Sequence, residues 1–325
     1  MEFFFAVTMN IGLDMMGGDF APLEAAKGIY LYLTEYPGGV TLFLFGDEAQ
    51  LTPLLVQEHI APEKIKIVHA PQVIAMHEHP TKALKDKKQS SIAVGFQYLA
   101  SHKIDAFISA GNTGAMLVGA MFSIKVIEGV LRPTISTVIP KENGKTGILL
   151  DVGLNADCKP ENLNQFAILG SLYAKYILGI ENPRVSLLNM GEEEGKGNIL
   201  AQAAYPLLKE NSQINFIGNT EGRDILLDKA DVMVCEGFTG NIVLKMAESV
   251  YDITHAKHIE HEFLDRFNFE YYGGTPVLGV AKPVIIGHGI SQSKAFKNMI
   301  AVAAKMIETD LMSKMKASFT GNTNA

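Results

Sequence analysis

Cysteine is almost missing from this chain. Its 325 residues include only Cys158 and Cys235, and no tryptophan. Two cysteines make neither a disulfide framework nor a four-thiolate zinc site, and they suit a reducing compartment. Basic charge is also short. A net charge of -7 argues against a general nucleic-acid binder, because neutralising phosphates needs a basic surface. The apolar run at 115–124 stops at Lys125, too short to cross a bilayer. No fixed-period repeat, low-complexity tract or Pro/Gly linker divides the chain. What remains is 47% hydrophobic and 19% charged residues, which supports a sizeable core in one large or two intimately packed domains. Residues 1–8 are apolar but lack a basic leader region. They read as an extension, with Met9 as the natural start.

The stretch 106–120, A-F-I-S-A-G-N-T-G-A-M-L-V-G-A, organises the rest. A short apolar strand ends in Ser109-Ala110-Gly111-Asn112-Thr113-Gly114, and helical spacing follows. Backbone N–H groups at a helix start lack intrahelical partners and carry partial positive charge, so such a turn suits an anion, and Gly111 and Gly114 allow close approach. The dinucleotide fingerprint and the phosphate-loop Gly-Lys-Ser/Thr ending are both absent, so no nucleotide is implied. A capping turn alone explains the pattern equally well.

The same device recurs. Strands at 10–14, 40–45, 64–69, 135–139, 147–150, 186–189, 214–217, 232–234 and 284–287 are predicted, and at least five end in turns of Gly, Asn, Asp, Thr or Ser that lead into helices. That pattern predicts a doubly wound α/β protein with its site at one sheet edge. Asn143-Gly144 between apolar runs predicts a hairpin, and hence a mixed sheet. Asp14 and Asp19 put carboxylates at the first strand's end, although Asp19 serves equally well as a helix cap. A basic run gathers Lys82, Lys85, Lys87 and Lys88 on an otherwise acidic protein. Such a run is either a solvated surface or a steering patch for an anionic partner. His255, His258 and His261 are spaced by three, and the outer two lie far apart around a helix, so they read as a surface helix and not as a zinc site. One amphipathic helix is predicted over 294–315, with a frayed tail at 317–325.

Six blocks together, D-M-M-G-G-D-F-A-P at 14–22, I-S-A-G-N-T-G-A at 108–115, L-D-V-G-L-N-A-D at 150–157, L-L-N-M-G-E-E-E-G-K-G at 187–197, E-G-F-T-G-N-I-V-L-K at 236–245 and I-G-H-G-I-S at 286–291, resemble the PlsX family of acyl-[acyl-carrier-protein]:phosphate acyltransferases. The resemblance runs from about residue 10 to residue 306. It implies a three-layer α/β/α fold with a mixed, mostly parallel sheet, like phosphate acetyltransferases and isocitrate/isopropylmalate dehydrogenases. Residues 9–316 would form one catalytic unit of two halves around a cleft, with a helical excursion at 251–271. It further implies a cytoplasmic homodimer acting on acyl carrier protein and inorganic phosphate. The acyl phosphate would feed a membrane-embedded glycerol-3-phosphate acyltransferase, and weak peripheral contact with the inner face of the cell membrane is expected.

Phosphate is already an anion and a thiolate is a good leaving group, so the reaction needs placement and charge stabilisation more than strong acid–base help. It calls for no metal and no cofactor. We therefore expect His288, Lys196, Asn112 and Thr113 to be catalytic, and Asp14, Gly111, Gly114, Asn155, Asn189 and Asn241 to bind substrate. Each Asn reads equally well as a turn-stabilising side chain. Histidine ordinarily titrates near neutrality, which suits His288 to protonating the departing sulfur. Lys82, Lys85 and Lys88 are expected to dock the acidic carrier. Where the resembling phosphate acetyltransferase block has Arg this chain has His288, and near their acidic residue it has Lys294, so a carboxylate-base mechanism does not transfer. A Cys158 or Cys235 nucleophile, a nicotinamide-linked decarboxylating dehydrogenase and a noncatalytic carrier-protein scaffold are the competing readings. The dehydrogenase would need a metal-binding carboxylate cluster and an Arg-rich pocket, where Lys and Asn dominate these loops.

Overall fold

The computed structural model describes residues 9–320. The extension expected at 1–8 lies outside the described residues, as do 321–325 of the tail. Two compact units emerge, whose described parts are 9–125 with 270–308 and 126–269 with 309–320.

The first stretch alternates strand and helix: β1 (Met9–Asp14), α1 (Leu23–Glu35), β2 (Val40–Gly46), α2 (Glu48–Gln57), β3 (Ile65–His69), α3 (Pro80–Asp86), α4 (Ser91–Ala100), β4 (Ala106–Ser109) and α5 (Thr113–Gly119). β1 runs parallel to β2 and to β4, and β2 parallel to β3. β1 and β4 are almost wholly buried, as strands covered on both faces must be, and this is why they read as unbroken apolar runs. Asp47 and Ser90 start α2 and α4 by accepting the N–H groups of Ala49 (3.1 Å) and Ala93 (3.2 Å), the role expected of N-cap side chains. The first half of the basic run, Lys82 and Lys85, lies on a helix, α3, with Pro80 in its first turn, where a missing N–H costs nothing.

The second unit follows with β5 (Thr134–Pro140), β6 (Thr146–Leu150), α6 (Pro160–Tyr176), β7 (Arg184–Asn189), α7 (Ile199–Glu210), β8 (Asn215–Glu221), β9 (Val232–Val234), α8 (Gly237–Ala256) and α9 (Glu262–Asp265). The predicted hairpin is present: β5 and β6 pair antiparallel around Gly144, whose φ is +85°. β6 and β9, β9 and β7, and β7 and β8 are parallel. The expected excursion at 251–271 is partly the end of α8, followed by the short α9.

The chain then returns to the first unit with β10 (Thr275–Leu278), β11 (Val284–Ile286) and α10 (Ser293–Glu308), and ends in the second with α11 (Leu311–Thr320). β11 lies parallel to β4, and β10 antiparallel to β11. β10 escapes sequence reading because Pro276 and Gly279 leave little strand signal in four residues. Two further expectations need correction. The single helix over 294–315 is broken at Asp310, whose φ of +49° no continuing helix allows. The tail expected to fray from 317 stays helical through Thr320.

Aromatic rings fill the first core, where Phe107 meets Phe45 and Phe96 edge-on at 5.7 and 5.1 Å. In the second unit an ionic knot holds the hairpin to the loop before β9. Asp228 accepts from Lys145 (2.8 Å), Asn143 (2.7 Å) and Arg184, and Arg184 also pairs with Asp231 (2.9 Å). Lys145, then Arg184, holds the Asp228 carboxyl down at about 2, against 3.8 ordinarily. A folded value below the unfolded one means that this stabilisation is complete above about pH 4 and is lost as pH falls towards about 2. Urea unfolding at about pH 5 and about pH 3 should therefore show a smaller loss of stability for Asp228→Asn than for the unchanged protein.

Candidate active site

Parallel strands deliver their following loops to one edge, and in the first unit four such loops meet. Asp19 N–H, after β1, donates to Gly289 O, after β11, at 2.8 Å. A Cβ on Gly287 would lie 3.1 Å from Ala110 Cβ, and one on Gly289 would lie 3.2 Å from Met76 Cε. Asn112 ties the turn after β4 to the loop after β3, its Nδ2 donating to the carbonyls of Ala75 (2.9 Å), Met76 (3.2 Å) and Glu78 (3.0 Å). Its Oδ1 accepts Ala115 N–H at 2.9 Å and caps α5. The carboxamide expected to touch substrate is thus committed to the protein on both edges.

The other predicted residues of this unit separate by exposure. Asp14, expected to bind substrate, is 0% exposed. It accepts Ser109 Oγ–H at 2.6 Å and Met16 N–H at 3.0 Å, so it is a core residue. Gly111 donates its N–H to Ser109 Oγ at 2.9 Å. Gly114 is a packing glycine: a Cβ there would run into Pro80 of α3. Thr113 and His288 are exposed. His288 O accepts Ser291 N–H at 2.9 Å. Lys82, Lys85 and Lys88 are exposed, whereas Lys87 bonds Glu78 (2.5 Å) and Val73 O (2.7 Å). Glu78 also accepts Ala75 N–H at 2.7 Å, so the loop ahead of the basic helix is internally braced.

In the second unit the buried Asp151, at the end of β6, organises a comparable turn. It accepts Leu154 N–H (3.1 Å), Asn155 N–H (2.7 Å) and Asn155 Nδ2 (2.7 Å), and Asn155 Nδ2 also reaches Pro133 O (2.8 Å). The start of α8 presses on this turn: Gly237 N–H donates to Asn155 O at 2.8 Å, and a Cβ on Gly153 would lie 3.3 Å from Asn241 Oδ1. Asn241 is thereby brought against the turn that Asp151 and Asn155 hold. Asn189 and Lys196 form a second pair after β7. Asn189 donates to Lys196 O (3.1 Å) and Asn219 Oδ1 (3.2 Å), and accepts Met190 N–H (2.8 Å). Asn241 and the Lys196 side chain stay exposed.

Ser109 and Asp151 are the organising residues that sequence reading passed over. Their signal was a polar residue closing an apolar strand. Burial pushes the Cys158 thiol up to about 11 and the Cys235 thiol well above its ordinary range, which disfavours either as a thiolate nucleophile. Glu192, Glu221 and Asp224 gather into a carboxylate group that sequence spacing did not reveal. Lys229 bridges Glu192 and Asp224, and Arg223 pairs with Glu221, so each carboxylate of that group already has a cationic partner.

A family model described as "Fatty acid synthesis protein" matches residues 9–314. The phosphate acyltransferase of Dictyoglomus turgidum is 42% identical, covering 94% of this chain and 96% of its own length. That of Aquifex aeolicus is 44% identical over the same shares. Among solved structures, a phosphotransacetylase from Streptococcus pyogenes and the EutD phosphotransacetylase from Staphylococcus aureus each align with a TM-score of 0.64 at 16% identity, covering 93% of this chain and 94% of theirs. At that identity they show the fold, three-layer α/β/α around a mixed, mostly parallel sheet.

Asn112→Asp separates the two jobs of this side chain. The carboxylate keeps the cap on α5 but faces three carbonyl oxygens, and it should cost about 3 kcal/mol in urea unfolding. Hydrogen exchange should quicken at amides 73–79 while those of α5 keep their protection.

Proposed function

The chain belongs to the fatty acid synthesis protein family and is an acyltransferase, and we propose that it moves a fatty acyl group from acyl carrier protein to inorganic phosphate. The product would be an acyl phosphate destined for phosphatidic acid synthesis by a membrane-embedded glycerol-3-phosphate acyltransferase. The observation that carries this reading is the likeness to phosphate acyltransferases along 94% of the chain.

In the proposed step a phosphate oxygen attacks the thioester carbon, the C–S bond breaks, and the thiolate takes up a proton. We place phosphate at the turn 112–114, with the Thr113 hydroxyl and the backbone N–H groups as donors. Their value lies in being set before reaction, so no reorganisation is needed as charge develops. His288, exposed on the neighbouring loop, supplies the proton to sulfur. Asn112 acts by holding the turn. In the second unit, considered by itself, Lys196 and Asn241 offer exposed donors. Asn155 and Asn189, with their amides committed to partners within the protein, shape the turns they stand in.

Carrier docking is assigned to Lys82, Lys85 and Lys88. α3 is joined to the proposed phosphate turn through the Asn112-held loop and the Pro80–Gly114 contact, so a donor docked there is delivered beside its acceptor. We also infer a cytoplasmic homodimer in weak peripheral contact with the membrane. Exposed Phe238, Ile242, Met246 and Ile253 along α8 supply apolar surface for such contacts. No helix among the described residues is long and apolar enough to cross a membrane.

Incubation with acyl carrier protein thioester and inorganic phosphate should yield a hydroxylamine-reactive acyl phosphate, and its absence would end the reading. Lys85→Glu should raise the KM for the carrier-bound donor roughly tenfold, with the KM for phosphate within about twofold. Equal effects on both substrates would remove α3 from docking.

A further inference from the structure

We propose that Asp14 and Ser109 are positioning residues of the reaction: a carboxylate sealed in the core that, through one serine hydroxyl, sets the backbone of the turn holding the acyl acceptor. The inference rests on the reading of 112–114 as the seat of phosphate.

Asp14 ends β1 beside β4, where Leu13 pairs with Ile108. Ser109 Oγ–H and Met16 N–H bond its two oxygens, and the Ser91 hydroxyl and the Gly17 backbone also reach it. None of these partners is a cation. Burial, the largest influence on it, pushes its pKa up, and the hydrogen bonds only partly offset this. An unpaired carboxylate is a costly component for a core, and an apolar strand residue would build the same sheet more cheaply. Buried titratable groups beside a loop at the ligand-bearing sheet edge are functional candidates when geometry supports them.

Here the geometry does. Ser109 has one hydroxyl, which donates to Asp14 and accepts the Gly111 N–H. The turn is therefore pinned at both ends, Gly111 N–H to Ser109 and Ala115 N–H to Asn112 Oδ1. Residues 112–114 are the length of backbone between the pins. No side chain cushions this arrangement. A Cβ on Gly17 would run into the Asp14 carboxylate and lie 2.6 Å from Gly111 N, and one on Gly111 would lie 3.2 Å from Asp14 Oδ2. The carboxylate is thus the spacer between the turns after β1 and β4. Altering it or its serine shifts the turn while leaving the apolar core in place.

The test measures kcat and both KM values for Ser109→Ala and Asp14→Asn in the full chain, together with thermal unfolding. Ser186→Ala serves as control, since that buried hydroxyl meets no partner among the described residues. Ser109→Ala should lower kcat/KM for phosphate by roughly 10- to 100-fold, with the donor KM within about twofold, because displacements near 1 Å cost about that much. Asp14→Asn should lose less, since its carboxamide can still accept from Ser109, and the control should match the unchanged protein. Phosphate constants within twofold in both variants would overturn the inference, as would equal losses on both substrates that track a drop in melting temperature. If the unchanged protein forms no acyl phosphate, the functional reading falls and takes this inference with it. Activity with unmoved constants would overturn this inference alone.

Discussion

Each unit is built around a carboxylate buried at the end of a strand. Asp14 closes β1 and Asp151 closes β6, and neither is exposed. A carboxylate accepts several hydrogen bonds and donates none, so it gathers the orphan N–H groups of a chain that has just left its sheet. Asp14 takes Met16 N–H and the Ser109 hydroxyl, and Asp151 takes the N–H groups of Leu154 and Asn155. The result in each case is a turn of fixed shape at the carboxyl edge. Burial is what gives these bonds their strength, because water cannot compete for them.

From that constraint the rest of the first unit's edge follows. The turn after β4 is set by Ser109, and Asn112 within it holds the loop after β3 by three carbonyls. That loop leads directly into the basic helix, which packs on Gly114. Hydrogen bonds, chain connection and one packing contact therefore link a core carboxylate, the turn after β4 and the helix that carries Lys82 and Lys85. For the reaction proposed above, which asks mainly for placement, loops braced in this way would be the frame's contribution. Thr113 and His288 stand exposed on two of the loops gathered at this edge.

Local order was legible in the residues themselves. Unbroken apolar runs marked the parallel strands because both faces are covered, Asn143-Gly144 marked the hairpin because its backbone must turn through positive φ, and the family followed from six ordered blocks. Asp47 and Ser90 stand at helix starts where their short oxygens reach nearby N–H groups. Tertiary structure decided which polar residues are used up. Asn112, Asn155 and Asn189 looked like substrate donors, yet all three bond within the protein, and Asp14 is sealed off. It also decided the break at Asp310 and the pairing of β10. The reason is separation along the chain: Ser109 lies 95 residues from Asp14, and Asn112 lies 34 from Glu78. Periodicity and turn chemistry act over a few residues, while the satisfaction of a buried polar group depends on whatever the fold places beside it.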